Sequence, residues 1–176
     1  MKKIVLTFGT IAGLICGGMF FLNMPKDGQI DFSHGVLTGY ITMIIAFSTI
    51  FFAVRQYRDQ HSEGKIKFST ALLIGIYVTV IASVIYVIAW EIFFTNFASD
   101  YGDQYLSYLE GQMSESGMSQ VEIDEELASS KSMMDSYGSN IVMRIGLTFL
   151  EIFPVGLIIS ILNAFVFGKF LKGKTA

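Results

Sequence analysis

The stretch GVLTGYITMIIAFSTIFFAV, residues 35–54, contains no charged side chain in 20 consecutive positions. A helix needs about 20 mostly apolar residues to cross the hydrocarbon core of a bilayer. Three further segments meet this requirement, namely residues 4–22, 69–90 and 145–167. Because apolar residues surround each helix axis, none of the four has the polar face of a soluble amphipathic helix. The sequence therefore predicts an all-α membrane protein, a bundle of four transmembrane helices.

The composition agrees with a single membrane domain over residues 1–176. Charged residues make up only 15% of the chain, against about 25% in soluble domains, and the mean hydropathy is +0.55. Two lysines precede the first apolar run, as in a signal peptide, but that run has 19 residues. Signal peptides have apolar cores of about 7–15 residues. We therefore expect this segment to be a retained transmembrane helix.

Lysine and arginine are distributed unequally between the segments that connect the spans. Nine of the twelve Lys and Arg residues lie in the N-terminus, the second connection and the C-terminus. With four spans, these three segments lie on the same side of the membrane. The other three are Lys26, Lys131 and Arg144. Cytoplasmic connections are the ones enriched in Lys and Arg. We therefore expect both termini to lie in the cytoplasm.

The loop between the third and fourth spans, residues 99–139, is strongly acidic. It contains nine Asp and Glu residues and one lysine, a net charge of −8. Such a segment is repelled by an anionic cytoplasmic leaflet, which agrees with an extracytoplasmic position. Tyrosines at helical spacing predict a first helix from Tyr101, which Gly111 and Gly117 weaken. Ser119 and Glu122 form a capping-box pattern that predicts a second helix from Gln120 toward Tyr137.

Glu151 is the most informative residue for chemistry, because it lies inside the fourth span. A carboxylate in a membrane is costly unless it is paired, neutral or faces a cavity. Arg144 precedes it by seven residues, on the same helix face and about 10.5 Å away. Glu91, near the outer end of the third span, lies at a depth similar to that of Arg144. A Glu91–Arg144 pair is geometrically plausible and leaves Glu151 unpaired or within a shared polar cluster.

Three interpretations of this cluster stay open. Glu151 is a proton or cation site tuned by Arg144 and Glu91, or the cluster is a structural clasp between the third and fourth spans, or Glu151 faces the outer aqueous phase. Pro154 removes a backbone hydrogen bond one turn back and predicts a helix kink. A carboxyl beside a kink fits either of the first two interpretations.

Small residues recur every four positions in two spans, a pattern typical of helices that pack closely in lipid. The second span has a shorter repeat, Gly35 and Gly39. We favour packing against another span of the same chain over self-association. The repeats are Gly9, Gly13 and Gly17 in the first span, and Gly156, Ser160, Ala164 and Gly168 in the fourth.

Aromatic residues lie near the expected membrane boundaries. Tyr86 and Trp90 fall near the outer end of the third span, and Tyr57 follows the inner end of the second. Tyr and Trp are enriched at membrane interfaces. We interpret them as support for the boundaries and not as evidence of a ligand.

Motifs for enzymatic or metal chemistry are absent from the sequence. His34 and His61 have no cysteine or second histidine at ligand spacing, and the acidic loop does not match a calcium-binding loop. Serines and threonines in the spans lack a nearby base, so a serine-type hydrolase is unsupported. We expect no catalytic residue, no metal, no cofactor and no nucleic-acid partner.

Four stretches together resemble the domain of unknown function 4199 family. They are residues 39–45 (GYITMII), 51–59 (FFAVRQYRD), 64–68 (GKIKF) and 151–157 (EIFPVGL). The resemblance covers nearly the whole chain and implies a small bacterial four-span membrane protein without an assigned activity. It implies no catalytic residue, and it places the chain in the bacterial inner membrane.

Two functional classes follow from these observations. The first is a non-enzymatic membrane protein of structural, accessory or partner-binding type. The second is a small transporter or a proton- or cation-coupled factor centred on Glu151. Its partners are the lipid bilayer and either a second copy of the chain or another membrane protein. A buried pair without a cavity favours the first class, and a polar cavity that reaches Glu151 favours the second.

Overall fold

The structure, a computed structural model, describes residues 1–22, 30–61 and 64–169, and these residues form seven helices without a strand. The helices are α1 (Lys2–Leu22), α2 (Phe32–Phe47), α3 (Thr49–His61), α4 (Phe68–Phe97), α5 (Tyr101–Glu115), α6 (Gln120–Ser139) and α7 (Ile141–Lys169). Four segments are long and apolar enough to cross a membrane: α1, α2 with α3, α4 and α7. The predicted all-α bundle of four spans is confirmed.

Helix α4 is the centre of the bundle, because α1 and α7 both pack closely on it. A Cβ atom added at Gly9 or Gly13 of α1 would lie 2.7 Å from the Cβ of Ile81 or Ile85. Gly17 has the same relation to Ala89. Only glycine lets the two backbones approach this closely, as in other small-residue helix interfaces. The repeat in the first span thus packs within the chain.

The small residues of α7 pack on a different face of α4. An added Cβ at Gly156 would overlap Thr79, and one at Gly75 would lie 2.6 Å from Ser160. The hydroxyls of Thr79 and Ser160 are 3.3 Å apart in the core. Ala164 is fully buried, and Gly168 approaches Phe68 at ordinary contact distance.

The second span is interrupted at Ser48, which separates α2 from α3. The Ser48 hydroxyl donates to the carbonyl of Ile45 at 2.6 Å, and the Thr49 hydroxyl donates to that of Ala46 at 2.7 Å. Such side-chain bonds compete with the helical backbone bonds and bend helices. In contrast, α7 continues through Pro154 as one helix.

Helices α5 and α6 form the connection between α4 and α7, which we call the α5–α6 segment. The capping box of Ser119 and Glu122 begins α6 as predicted. Helix α5 passes through Gly111 and ends at Glu115, just before Gly117, whose φ of 79° favours glycine. The segment lies at one end of the bundle, here named the α5–α6 end.

Candidate functional site

Arg144 and Glu91 form a two-pronged ion pair between α7 and α4. The guanidinium Nε donates to Glu91 Oε1 and Nη2 donates to Oε2, both at 2.8 Å. The side chains are 7% and 18% exposed, so the pair is largely removed from solvent. This planar, paired geometry is the strongest form of a carboxylate–guanidinium contact.

Arg144 also holds the end of α6. Its Nη1 atom donates to the carbonyl oxygens of Tyr137 at 3.0 Å and of Gly138 at 2.9 Å. These carbonyls belong to the last turn of α6, where no intrahelical donor remains for them. The guanidinium carbon lies 4.3 Å from the centre of the Phe94 ring, a cation–π contact. One side chain thus ties together α4, α6 and α7, and we call it with Glu91 the clasp.

Glu151 is not part of the clasp. Its side chain is exposed and lines a cavity of about 330 Å³ at the α5–α6 end. The carboxylate interacts with the hydroxyl of Tyr86 on α4. The structure therefore brings Arg144 and Glu91 together and leaves Glu151 in the cavity wall beside Tyr86.

Six helices and the residues just before α2 contribute to the cavity wall. Along α2 the lining residues extend from Phe32 to Met43, which corresponds to about 16 Å of helix. Gly35 and Gly39 lie on this wall, and an added Cβ at either would meet no atom within 4 Å. Close packing of these two glycines against another span of the chain is therefore wrong for the part of the chain that the structure describes, and their packing against a second copy stays a prediction. Within the described residues they leave space for the cavity.

Aromatic side chains form much of the wall opposite α2. Tyr86, Trp90 and Phe93 recur on one face of α4, and all three line the cavity together with Phe20 of α1. The Phe20 ring centre lies 4.9 Å from those of both Tyr86 and Trp90. Tyr101 of α5 stands edge-on to Trp90, with ring centres 5.6 Å apart. The rings support one another, which fixes the shape of the wall.

Tyr137 joins this wall to the clasp. The indole N–H of Trp90 donates to the Tyr137 hydroxyl at 2.7 Å. Burial raises the pKa of Tyr137, and also that of Tyr101, so both phenols stay neutral at physiological pH. The carbonyl of Tyr137 is one of the two that Arg144 holds. The position of this ring in the cavity wall therefore depends on the clasp.

Asp31 contributes a second acidic group to the cavity lining, just before the start of α2. Asp31 caps α2 by accepting from the backbone N–H groups of Ser33 and His34. The Ser33 hydroxyl and the N–H of His34 lower the pKa of Asp31 to about 2. Among the described residues, no Lys or Arg lines the cavity. The titratable groups that line it with Glu151 are Cys16, Asp31, His34, Tyr86, Tyr101 and Tyr137.

Two features of the sequence belong to this site, although each alone predicts another role. Tyr86 and Trp90 are typical of interfacial aromatics, and the structure places both in the cavity wall. The spacing of Gly35 and Gly39 predicts helix packing. An aromatic i, i+4, i+7 series on the helix opposite a glycine pair, with an acid on a third helix, is the pattern that could have indicated a cavity.

In residues 1–22, 30–61 and 64–169, no group of three or more His, Cys, Asp or Glu side chains is arranged to hold a metal ion. An open groove between α5 and α6 carries Asp103, Glu110, Asp124 and Lys131 beside Leu106 and Leu127. Its lining mixes charged and apolar side chains.

The fold and the site together define a multi-pass helical membrane protein with a cavity inside one end of its bundle. The chain belongs to the family described as "Protein of unknown function (DUF4199)", whose family model matches residues 7–169. This match confirms the resemblance found in the sequence. The comparisons with curated proteins and with solved structures gave no match.

Proposed function

We propose that this protein is a non-enzymatic membrane protein that binds a small cation in the cavity, with Glu151 as its anionic group. The observation that carries the proposal is the separation of Glu151 from the clasp. Arg144 has its donors directed to Glu91 and to two carbonyls of α6. Arg144, the basic residue nearest to Glu151 in the sequence, is thus bound to other groups.

The cost of a carboxylate in a membrane supports this proposal. A charged side chain within a span is retained where it pairs, faces a cavity or works in an ion pathway. Glu151 faces a cavity whose described lining includes no cationic Lys or Arg. A bound cation, or a proton on the carboxyl, would remove the uncompensated charge. This interpretation corresponds to a cation-coupled factor or small transporter.

A structural or accessory role is the second candidate, and the clasp is the observation that favours it. Arg144 connects three helices and so fixes the α5–α6 segment on the bundle. Presentation of this acidic segment to a second copy of the chain or to another membrane protein would need such a support. The two candidates differ in what they require of Glu151, because only cation binding needs an accessible carboxyl.

The proposed location is the bacterial inner membrane, with both termini in the cytoplasm and the α5–α6 segment outside. The support is the distribution of Lys and Arg between the two sides. Reporter fusions at residue 176 and within the α5–α6 segment test it. Equal activity of a cytoplasmic reporter at both sites would contradict the four-span topology.

Carbodiimide labelling tests the accessibility and the occupancy of Glu151. A hydrophobic carbodiimide modifies protonated carboxyls that it can reach from lipid or from a cavity. We expect Glu151 to be labelled in native membranes, and added small cations to slow the labelling. Glu91 serves as the internal control, because its carboxylate is held by Arg144.

The outcomes separate the two candidates. Labelling of Glu151 but not of Glu91, with protection by cations, supports the cation site. Absence of labelling in a folded protein, or labelling that no cation slows, would refute it and leave the structural role. Glu151→Gln keeps the shape of the side chain and provides the unlabelled reference.

A further inference from the structure

The aromatic wall of the cavity defines the class of cation more narrowly. Small inorganic cations are bound through several oxygen ligands, and Mg²⁺ and Ca²⁺ need six or more. Among the described residues, the cavity offers carboxylates at Glu151 and Asp31 and hydroxyls on threonines and tyrosines, and aromatic side chains are the largest group in its lining. The Asp31 carboxylate already accepts from the backbone N–H groups of Ser33 and His34. This lining suits a cation that carries its own apolar surface.

We propose that the cavity binds an organic ammonium group, with Glu151 as counter-ion and the rings of Trp90, Tyr101 and Tyr86 as its apolar cage. This inference rests on the proposed function and names its ligand class. Aromatic cages recognise alkylated ammonium groups, because the negative face of each ring attracts the cation while methyl groups fill the space between rings. Desolvation within a cavity strengthens that attraction.

The dimensions of the cavity agree with a small ligand. Its volume of about 330 Å³ lies at the lower end of the range of about 300–1,000 Å³ for small-molecule sites. Phe20 and Phe93 complete the aromatic lining next to Trp90, and Met19 and Met43 add polarisable contacts. The ammonium group therefore meets rings on α1, α4, α5 and α6, and the carboxylate on α7.

Charge outside the cavity favours the same ligand. Residues 99–139 carry a net charge of −8, and this segment contributes Tyr101 and Tyr137 to the wall. A negatively charged segment next to a site raises the local concentration of cations and their rate of association. An anionic ligand would be disfavoured both by this field and by Glu151.

Trp90 provides a direct assay, because it is the single tryptophan of the chain and lines the cavity. Purified full-length protein in phosphatidylglycerol nanodiscs is titrated with choline while Trp90 fluorescence is recorded. The parallel titration uses 3,3-dimethylbutan-1-ol, which has the shape of choline with carbon in place of the charged nitrogen. We expect saturable binding of choline that is at least about tenfold tighter than that of the neutral alcohol.

Two variants connect the response to the cavity. In Glu151→Gln, choline affinity should fall at least about tenfold while the affinity of the neutral alcohol stays within about twofold. Gly39→Leu should abolish binding of both probes by filling the cavity. Gly146→Leu is the matched control, because Gly146 also has no neighbour within 4 Å but does not line the cavity.

The ammonium group has two sources, a free molecule or the headgroup of phosphatidylethanolamine, and the lipid composition distinguishes them. Unchanged choline affinity in nanodiscs with phosphatidylethanolamine assigns the site to a free ammonium compound. If choline binds at least about tenfold more weakly in those nanodiscs, and Glu151→Gln does not show this difference, the site is assigned to the lipid headgroup.

Failure of this inference differs from failure of the proposed function. Equal affinity for choline and the neutral alcohol, or no response to either in a folded protein, overturns the ammonium assignment. If Glu151 is then still labelled by carbodiimide and protected by sodium or potassium, the cation site stands with an inorganic ligand. If neither assay gives a signal, both proposals fail.

Discussion

Separation of the clasp partners should destabilise the protein much more than removal of an exposed ion pair. In Glu91→Leu the Arg144 guanidinium, 7% exposed, loses its carboxylate and keeps only the two α6 carbonyls and the Phe94 ring. Removal of one partner of a buried pair costs about 3–5 kcal/mol. Because Glu91 retains 18% exposure, we expect the lower end, about 3 kcal/mol, for each single variant.

The double variant gives the sharper test. Two apolar side chains can replace a buried ion pair at little net cost, although the α6 carbonyls lose their donor. We therefore expect Glu91→Leu/Arg144→Met to lose less free energy of unfolding than either single variant. Arg55→Met is the matched control: Arg55 lies 3.7 Å from Asp59 with 60% of its side chain exposed. Its loss should stay below about 1 kcal/mol.

The assay is unfolding by sodium dodecyl sulfate in mixed micelles, followed by Trp90 fluorescence. Additive losses in the double variant would show that the two side chains do not interact in the membrane. Single-variant losses as small as that of Arg55→Met would show that water screens the pair. Either result would refute the reasoning from the buried geometry.

Three further predictions concern packing, capping and pH. Gly13→Ala, whose new Cβ would lie 2.7 Å from that of Ile85, should lower the free energy of unfolding by about 1–3 kcal/mol, whereas Gly18→Ala on the same helix, with no atom within 4 Å, should not. Ser119→Ala removes the capping box and should cost about 1 kcal/mol, measured as faster amide exchange in the first turn of α6. The pKa of Asp31 is lowered to about 2. Its capping hydrogen bonds should therefore stabilise α2 fully above about pH 4, and this stabilisation should be lost as the pH falls toward 2. An Asp31 carboxyl resonance that titrates near pH 4 would contradict this.

The span architecture could be predicted because it follows from local composition. Twenty uncharged residues cannot be solvated as a helix in water, and lipid requires internal backbone hydrogen bonds, so position and length follow directly. The start of α6 at Ser119 was readable for the same reason, since a capping box is contained within four residues. The break at Ser48 could not be predicted, because serine in an apolar run is compatible with a continuous helix.

The cavity could not be predicted, because it depends on which helix faces are left without a neighbour. A glycine pair predicts close packing or open space equally well until the partner helix is known. At Gly13 the partner Ile85 is present, and at Gly39 no atom lies within 4 Å. The pairing of Glu91 with Arg144 can be predicted from their similar depth in the membrane. The contacts of Arg144 with the α6 carbonyls cannot, because they depend on how α6 packs on α7.

Tyr137 connects the clasp to the cavity wall, and this connection leads to the last prediction. Arg144 holds the Tyr137 carbonyl, and the Tyr137 hydroxyl accepts from Trp90 in the cavity wall. In Arg144→Lys the charge remains, but a single ammonium cannot reproduce the planar fork toward Glu91 and the α6 carbonyls. We therefore expect choline and 3,3-dimethylbutan-1-ol to lose affinity by the same few-fold factor, because the shape of the wall changes while Glu151 does not. A selective loss of choline binding, as expected for Glu151→Gln, would mean that Arg144 acts on the charge of the site and not on its shape.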